Sequence, residues 1–293
     1  MTACAWCGAP LSEGERLKGR IRCAHCGVAT ISPWPTEAEL EQAYGGWYRP
    51  AAGRFSGFGD RLLRHTRGRL AARLRRIAPP GPVLDVGAGE GALIEALRRE
   101  GVEASGLDPF AGGTYIRSGS LSDEEGGSWA AVVFWHSLEH LPEPAKALEE
   151  AVRLLEPGGA LVIAVPNSDS LQARLFGDRW LALDPPRHLV HLTSRALQAR
   201  LRQLGLRVER VSYLRGGQVV FGWLHGIVGS LPGRMDLYDA IRRKEARAAP
   251  ISAPRRAAIV LAAVALLPLA LAATAAEVAL RRGGTVYVEA RKP

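Results

Sequence analysis

The run Val83-Leu84-Asp85-Val86-Gly87-Ala88-Gly89-Glu90-Gly91 joins a short apolar segment to a turn carrying three alternating glycines. The apolar part reads as a buried strand, and a helical pattern begins at Ala92. A glycine turn between a strand end and a helix N-terminus brings bare backbone N–H groups close to a ligand. Asp108 closes the next predicted strand, Val102–Leu107, where a carboxylate can accept both ribose hydroxyls of a nucleoside cofactor. A second set of residues could move protons. His136, Glu139 and His140 follow one predicted strand, and Arg187, His188 and His191 lie in a later loop. A third set could hold a metal: Cys4-x-x-Cys7 and Cys23-x-x-Cys26, with fifteen residues between the pairs. Two such knuckles suit tetrahedral zinc, and Gly8 and Gly27 allow the tight turns that bring N–H groups to sulfur. Four thiolates leave no open coordination position, so this zinc would be structural, and a single Cys-to-Ser change would unfold the ribbon rather than block chemistry. Disulfides are the alternative, disfavoured by the reducing compartment read from the N-terminus.

The spacing Asp-x-Gly-x-Gly-x-Gly, with Asp85 inside the strand, argues against a dinucleotide enzyme. The chain here resembles the class I S-adenosylmethionine (SAM)-dependent methyltransferases. The resemblance runs through Val132-Val133-Phe134-Trp135-His136-Ser137-Leu138-Glu139-His140-Leu141, the family's fourth strand and the segment after it. It continues through Leu155-Glu156-Pro157-Gly158-Gly159 and the strand Ala160–Val165. Trp180, Leu183-Asp184-Pro185-Pro186-Arg187-His188-Leu189 and His191 resemble a bacterial subgroup with an N-terminal zinc ribbon. The resemblance implies a Rossmann-like α/β fold with a mostly parallel seven-stranded sheet, its last strand antiparallel. It implies SAM contacts from Asp85, Gly87, Ala88, Gly89, Gly91, Asp108, Pro109, Ser120, Leu121, Trp135 and His136. Ser120 or the backbone at Gly119-Ser120-Leu121 takes the place where members often carry an adenine-binding acid, and Ala130 stands where many open the fourth strand with aspartate. An inactive SAM-binding relic is therefore a second outcome.

Those sites need elements to hold them. Residues 1–32 form the expected ribbon, and 33–80 a linker with helices, Thr36 capping Glu37–Tyr44. Gly45–Gly59, with Trp47, Tyr48, Phe55 and Phe58, reads as a lid or as a packed linker. Arg61–Ile77 reads as a helix with seven arginines and an apolar stripe, Leu63, Leu70, Leu74 and Ile77. Its basic face is either solvated or phosphate-binding. Residues 81–214 form the SAM-binding core, with helices at Ala92–Glu100, Pro144–Leu155 and Ser194–Leu204 and a strand at Leu206–Leu214. Thr193 caps the last helix and Gly205 stops it. Residues 283–293 carry the final strand, Thr285–Ala290.

Between them, residues 215–282 are an insertion of unusual composition. Arg215–Arg256 holds eight Lys/Arg against three acids, and Ala257–Ala276 is twenty residues without a charge. That is long enough to cross a bilayer core of about 30 Å, although half of it is alanine and Pro268 interrupts it. If the last strand rejoins the core sheet, a single crossing would strand it in the wrong compartment. An interfacial helix or re-entrant hairpin with Val219–Leu231 is then expected, against a soluble lid or dimer patch.

Composition is that of a globular protein, 47% apolar and 23% charged, and 293 residues suffice for one large core and an appendage. The start Met1-Thr2-Ala3-Cys4 lacks a secretory pattern, so a cytoplasmic protein, docked on the cytoplasmic membrane face, is expected. The net charge of +9 favours phospholipid or nucleic acid. The resulting expectation is SAM-dependent methyl transfer to a small or lipid-like acceptor, O-methylation ahead of C or N. His140 or His188 would be the base; Glu139, Arg187 and His191 would face the acceptor, Arg187 orienting an anionic group or pinning its loop. The alternatives are an RNA methyltransferase gripping its substrate with the ribbon and basic helix, and a non-catalytic SAM-fold adaptor at the membrane. No aromatic stripe interleaves the basic residues, which weighs against RNA.

Overall fold

The structure is a computed structural model that describes residues 2–45, 58–110, 112–215, 218–233, 235–247 and 249–293. The lid-or-linker expectation for Gly45–Gly59 falls largely outside them.

The N-terminal ribbon has three short strands, β1 (Glu15–Leu17), β2 (Arg20–Arg22) and β3 (Ala29–Ile31). Helix α1 (Glu37–Ala43) follows, held by a capping box in which Thr36 and Glu39 satisfy each other's backbone N–H. Helix α2 (Phe58–Ile77) leads into strand β4 (Val83–Val86), then α3 (Ala92–Arg99), β5 (Ala104–Leu107) and the two-residue β6 (Ile116–Arg117). Next come β7 (Trp129–Trp135), α4 (Pro144–Leu154), β8 (Leu155–Pro166), α5 (Leu171–Phe176) and β9 (Val190–His191). Helix α6 (Ser194–Gln203), capped by Thr193, and β10 (Arg207–Ser212) complete the run before the insertion. The insertion is α7 (Val219–Gly229), α8 (Leu237–Ile241) and α9 (Ala253–Ala279), and β11 (Thr285–Arg291) ends the chain.

The main sheet has the order β10-β11-β8-β7-β4-β5-β6. β11 is antiparallel to both neighbours; the β4, β5, β6, β7 and β8 pairings are parallel. Successive side chains alternate between two apolar layers. Leu84, Val132, Phe134 and Ile163 pack toward α4 and α6, whereas Val83, Ala131, Val133 and Val162 pack toward α2 and α3. On α2, Leu70 and Leu74 are buried but Leu63 is 43% exposed, so the apolar stripe is shorter than expected. One of its arginines, Arg73, is anchored to the sheet by a two-pronged contact with Glu289 on β11, at 2.9 and 2.6 Å. β10 is also shorter than expected, because the Ser212 hydroxyl accepts from the N–H groups of Leu214 and Arg215 and turns the chain.

Two features go beyond the expected layout. β9 pairs with β3, Ala29 opposite His191 and Thr30 opposite Val190, so the ribbon's sheet is completed by a strand from the core. The insertion is a helical hairpin in which α7 packs along α9. Its root is a buried carboxylate: Glu277 accepts from Gln172 N, Gln172 Nε2, Trp223 Nε1 and Gly284 N. The face of α9 turned away from α7 is apolar and open, with Leu261 70%, Val264 66% and Leu269 55% exposed. Among the described residues α9 is the one helix long and apolar enough to cross a membrane. A single crossing is ruled out by the sheet, since β10 and β11 flank the insertion and are hydrogen-bonded neighbours.

Candidate functional site

The parallel strands β4, β5, β7 and β8 all end at one edge of the sheet, and the predicted site residues gather there. After β4 the chain makes its glycine turn with φ of 77° at Gly87, 58° at Gly89 and 77° at Gly91. L-residues with a Cβ rarely adopt such angles. At Gly87 a Cβ would also stand 2.4 Å from that of Ser137, so the turn cannot carry a side chain and stay closed. The Ser137 hydroxyl beside it is buried without a hydrogen-bond partner among the described residues. Ala88 fills the space over Gly106, where a Cβ would come within 2.5 Å of Ala88 Cβ.

Asp108, buried at the end of β5, accepts from Gly89 N at 2.8 Å and from Phe110 N at 2.9 Å. It therefore shapes the turn, while a carboxylate's four lone-pair sites leave acceptor capacity for hydroxyls. Asp85 is buried in β4; burial pushes its carboxyl up to about 7, the Arg67 charge opposing and Asp108 adding to the rise. Arg67 itself lies over the Trp135 ring, 5.0 Å from its centroid. Pro109 is exposed beside Asp108. Ser120 and Leu121 lie beyond β6, where Ser120 caps a 3-10 turn and accepts from Ser122 N. Its own N–H goes to Asp123, so the acid nearest the end of β6 is committed to the turn. These residues fit a nucleoside cofactor: a closed glycine cradle, an acid at each of two adjacent strands, and an orphaned hydroxyl facing the turn.

The loop after β7 brings together the histidines and the acid that the sequence singles out for proton transfer. His136 has φ 54° and stands with Nδ1 3.5 Å from Glu139 Oε1. Glu139 is 1% exposed and, among the described residues, neither carboxylate oxygen has a hydrogen-bond partner. Burial raises its pKa, but His136, with the charges of His140 and His188, outweighs that and holds it at about 2. His188 approaches from the later loop, its Nε2 4.0 Å from Glu139 and 3.7 Å from Asp184. Its Nδ1–H donates to Ala182 O at 2.8 Å, which leaves Nε2 the lone pair when the ring is neutral. The His140 ring stands edge-on to His188 at 4.6 Å, and burial, reinforced by His188, lowers its pKa to about 4. Glu139, His140 and His188 each offer one ligand atom within 4.8 Å, a geometry that can take a proton or a divalent cation.

Arg187 is bound to the Asp184 carboxylate through Nε at 2.9 Å and through a second, closer contact, and to Ala43 O at 3.1 Å. The guanidinium thus pins its own loop to α1. His191 sits in β9 behind His188, ring to ring at 6.5 Å, and burial pushes its pKa down to about 3. The sequence reading missed Tyr44, whose hydroxyl meets His140 Nδ1 at 2.8 Å and whose ring stacks on Phe110 at 4.3 Å. It also missed Arg67 and Asp184 as site residues. Asp184 lay within a quoted motif; Tyr44 carried no periodic or spacing signal.

In the ribbon all four sulfurs lie within 4.8 Å of one another, with Cys4–Cys26 at 3.7 Å and Cys7–Cys23 at 3.6 Å. Four thiolates about 2.3 Å from one tetrahedral ion would be about 3.8 Å apart. Gly8 and Gly27 carry φ of 73° and 74° and bond back to Cys4 O and Cys23 O, as knuckle turns require.

A seven-stranded sheet with one reversed strand, a glycine cradle and an acid after the second core strand define a nucleoside-cofactor-binding transferase class. Residues 59–211 match the family described as "Methyltransferase domain", just over half the chain, and the chain belongs to that family of SAM-dependent methyltransferases. It is 30% identical over 161 residues to the ubiquinone biosynthesis O-methyltransferase of Xanthomonas axonopodis pv. citri, covering 47% of this chain and 67% of that protein. The corresponding enzyme of Xanthomonas oryzae pv. oryzae is 31% identical over 153 residues, 44% of this chain and 64% of its own. The chain thus spans about two thirds of these relatives' length. Among solved structures, a SAM-dependent methyltransferase from Archaeoglobus fulgidus superposes with a TM-score of 0.44 at 19% identity, covering 80% of this chain and all of that one.

Proposed function

We propose that the protein O-methylates a phenol-like acceptor bearing an apolar tail, drawn from a membrane surface on which the α7–α9 hairpin rests. One observation carries this reading: the hairpin is rooted at the sheet edge that also holds the histidine loop. β11 begins at Thr285 opposite Pro166, the end of β8, and Glu277 ties α9 to α5 just beyond it. An acceptor arriving along the open face of α9 reaches the edge where the glycine turn and Glu139 lie. The relatives' O-methyltransferase names agree with an oxygen acceptor.

Bound SAM would supply an electrophilic methyl group on sulfur. Gly87, Ala88, Gly89 and Gly91 would hold its methionine end, Asp85 its cationic groups, and Asp108 and Pro109 its ribose side. Ser120, Leu121, Trp135 and His136 would complete its pocket. His188 would take the acceptor's proton, because Glu139 and Asp184 face its Nε2 and stabilise the imidazolium that forms. His140, which burial lowers to about 4, accepts a proton poorly near neutral pH and positions His188 instead. Arg187 and His191 would shape the loop behind them. The four cysteines would hold structural zinc, the ribbon subgroup's feature.

The test is release of S-adenosylhomocysteine with phenols that carry or lack an apolar tail, with and without phosphatidylcholine vesicles. Turnover of the tailed phenol, raised by vesicles, supports the reading. Equal turnover of a small water-soluble phenol without vesicles would refute its membrane half. His188→Asn should lower kcat by about 10²–10³ with SAM affinity unchanged.

A further inference from the structure

Four arginines line one cavity of about 440 Å³ at the foot of α9. Arg195 and Arg202 come from α6, and Arg281 and Arg282 follow the last turn of α9. Ser194, Asn167, Gln198 and Tyr213 add polar groups to its wall. The acid that lines it, Asp169, is bound by Arg174 at 2.9 Å. Among the described residues Arg195, Arg281 and Arg282 make no ion pair, and Arg202 reaches only the Gln198 amide oxygen at 3.3 Å. Cations near a helix C-terminus offset its dipole, which accounts for arginines after α9. It does not account for Arg195, which occupies the first turn of α6, the positive end of that helix. Four guanidiniums gathered on one cavity, with a single acid that Arg174 already binds, repel one another, and a phosphate that forks between them removes that cost.

The cavity also borders the apolar face. Leu280, 62% exposed, lines it and lies about three helical turns beyond Leu269, 55% exposed, on the same side of α9. A ligand with a phosphate at the foot and hydrocarbon along the helix fits both features. We infer that this cavity binds the phosphate headgroup of an anionic phospholipid, whose chains lie along α9. The inference rests on the reading that the hairpin meets a bilayer, and it adds a defined headgroup site at the mouth of that contact. The site would fix how the sheet edge faces the membrane.

The experiment is sedimentation of the full chain with vesicles of phosphatidylcholine alone and of phosphatidylcholine mixed with phosphatidylglycerol. The expected result is at least about tenfold tighter binding to the anionic vesicles, lost at high salt. The double variant Arg195→Gln/Arg281→Gln should fall to the neutral-vesicle level while keeping SAM affinity and melting temperature. Should the double variant unfold, Arg281→Gln alone should halve the preference or more. Equal binding to both vesicle types overturns the headgroup site and leaves the membrane reading standing. Binding to neither overturns both. A melting temperature raised by inorganic phosphate, with no vesicle binding, would assign the cavity to a soluble phosphate and overturn the lipid.

Discussion

Burial leaves Asp85 half protonated near neutrality, and that makes its charge a reporter of what binds beside it. Its folded pKa of about 7 lies above the ordinary 3.8, so between those values the folded chain holds a proton that the unfolded chain has lost. The stability it contributes is full below about pH 4 and is lost as pH rises through 7. Denaturation of wild type and Asp85→Asn across that window should show the wild type losing stability relative to the variant. A constant difference would contradict the burial argument. A cationic cofactor favours the ionised carboxylate, so SAM should bind wild type more tightly as pH rises through 7, and Asp85→Asn should flatten that slope. Asp108 accepts from Gly89 N in the turn and, on the proposed reading, would also accept the cofactor's hydroxyls. Asp108→Ala should therefore weaken SAM binding at least about tenfold by calorimetry, the effect of one lost charge-assisted hydrogen bond or more. Unchanged affinity would remove Asp108 from the site.

Elements carry what single residues cannot. Since β3 pairs with β9, the ribbon supports the strand that holds His191, three residues from His188. The Cys23→Ser variant should therefore lose zinc and lower kcat, with SAM affinity nearly intact. The sequence expectation is that such a change unfolds the ribbon rather than blocks chemistry; kcat unchanged after zinc loss would contradict the coupling through β9. At the other end, Glu277 accepts four hydrogen bonds from the core and α7. Truncation to alanine orphans buried donors and should cost about 2–4 kcal/mol in chemical denaturation. The sequence made local elements legible where one turn decides them: the Asp85–Gly91 turn, the caps at Thr36 and Thr193, the cysteine knuckles. The reversed β11 and its place beside β10 were legible only through resemblance. What stayed hidden was pairing at long range. β9 is two residues long, and no pattern that short announces a partner 160 residues away. Tyr44 and Arg67 were hidden for the same reason, since each meets the site only when distant segments fold together.

At the scale of the molecule, one sheet edge carries both the glycine turn and the root of the apolar hairpin. The glycine turn and buried Glu139 lie at one end of it, and the α9 face beside it is open and apolar. Methyl transfer from a sulfonium asks the protein chiefly to hold the two partners close in a dry pocket, so the proposed site, rooted beside an exposed apolar helix, would suit an acceptor that water dissolves poorly. Replacing Leu261, Val264 and Leu269 together with serine should abolish vesicle binding and raise KM for a tailed phenol, leaving kcat and SAM affinity in place. The central claim is catalysis at this edge, and its most direct test is S-adenosylhomocysteine release by wild type with a tailed phenol on vesicles. The account predicts stoichiometric release with an ether-linked methyl on the phenol, lost in His188→Asn. SAM binding without release on any phenol, with or without vesicles, would contradict it and leave a SAM-binding adaptor in its place.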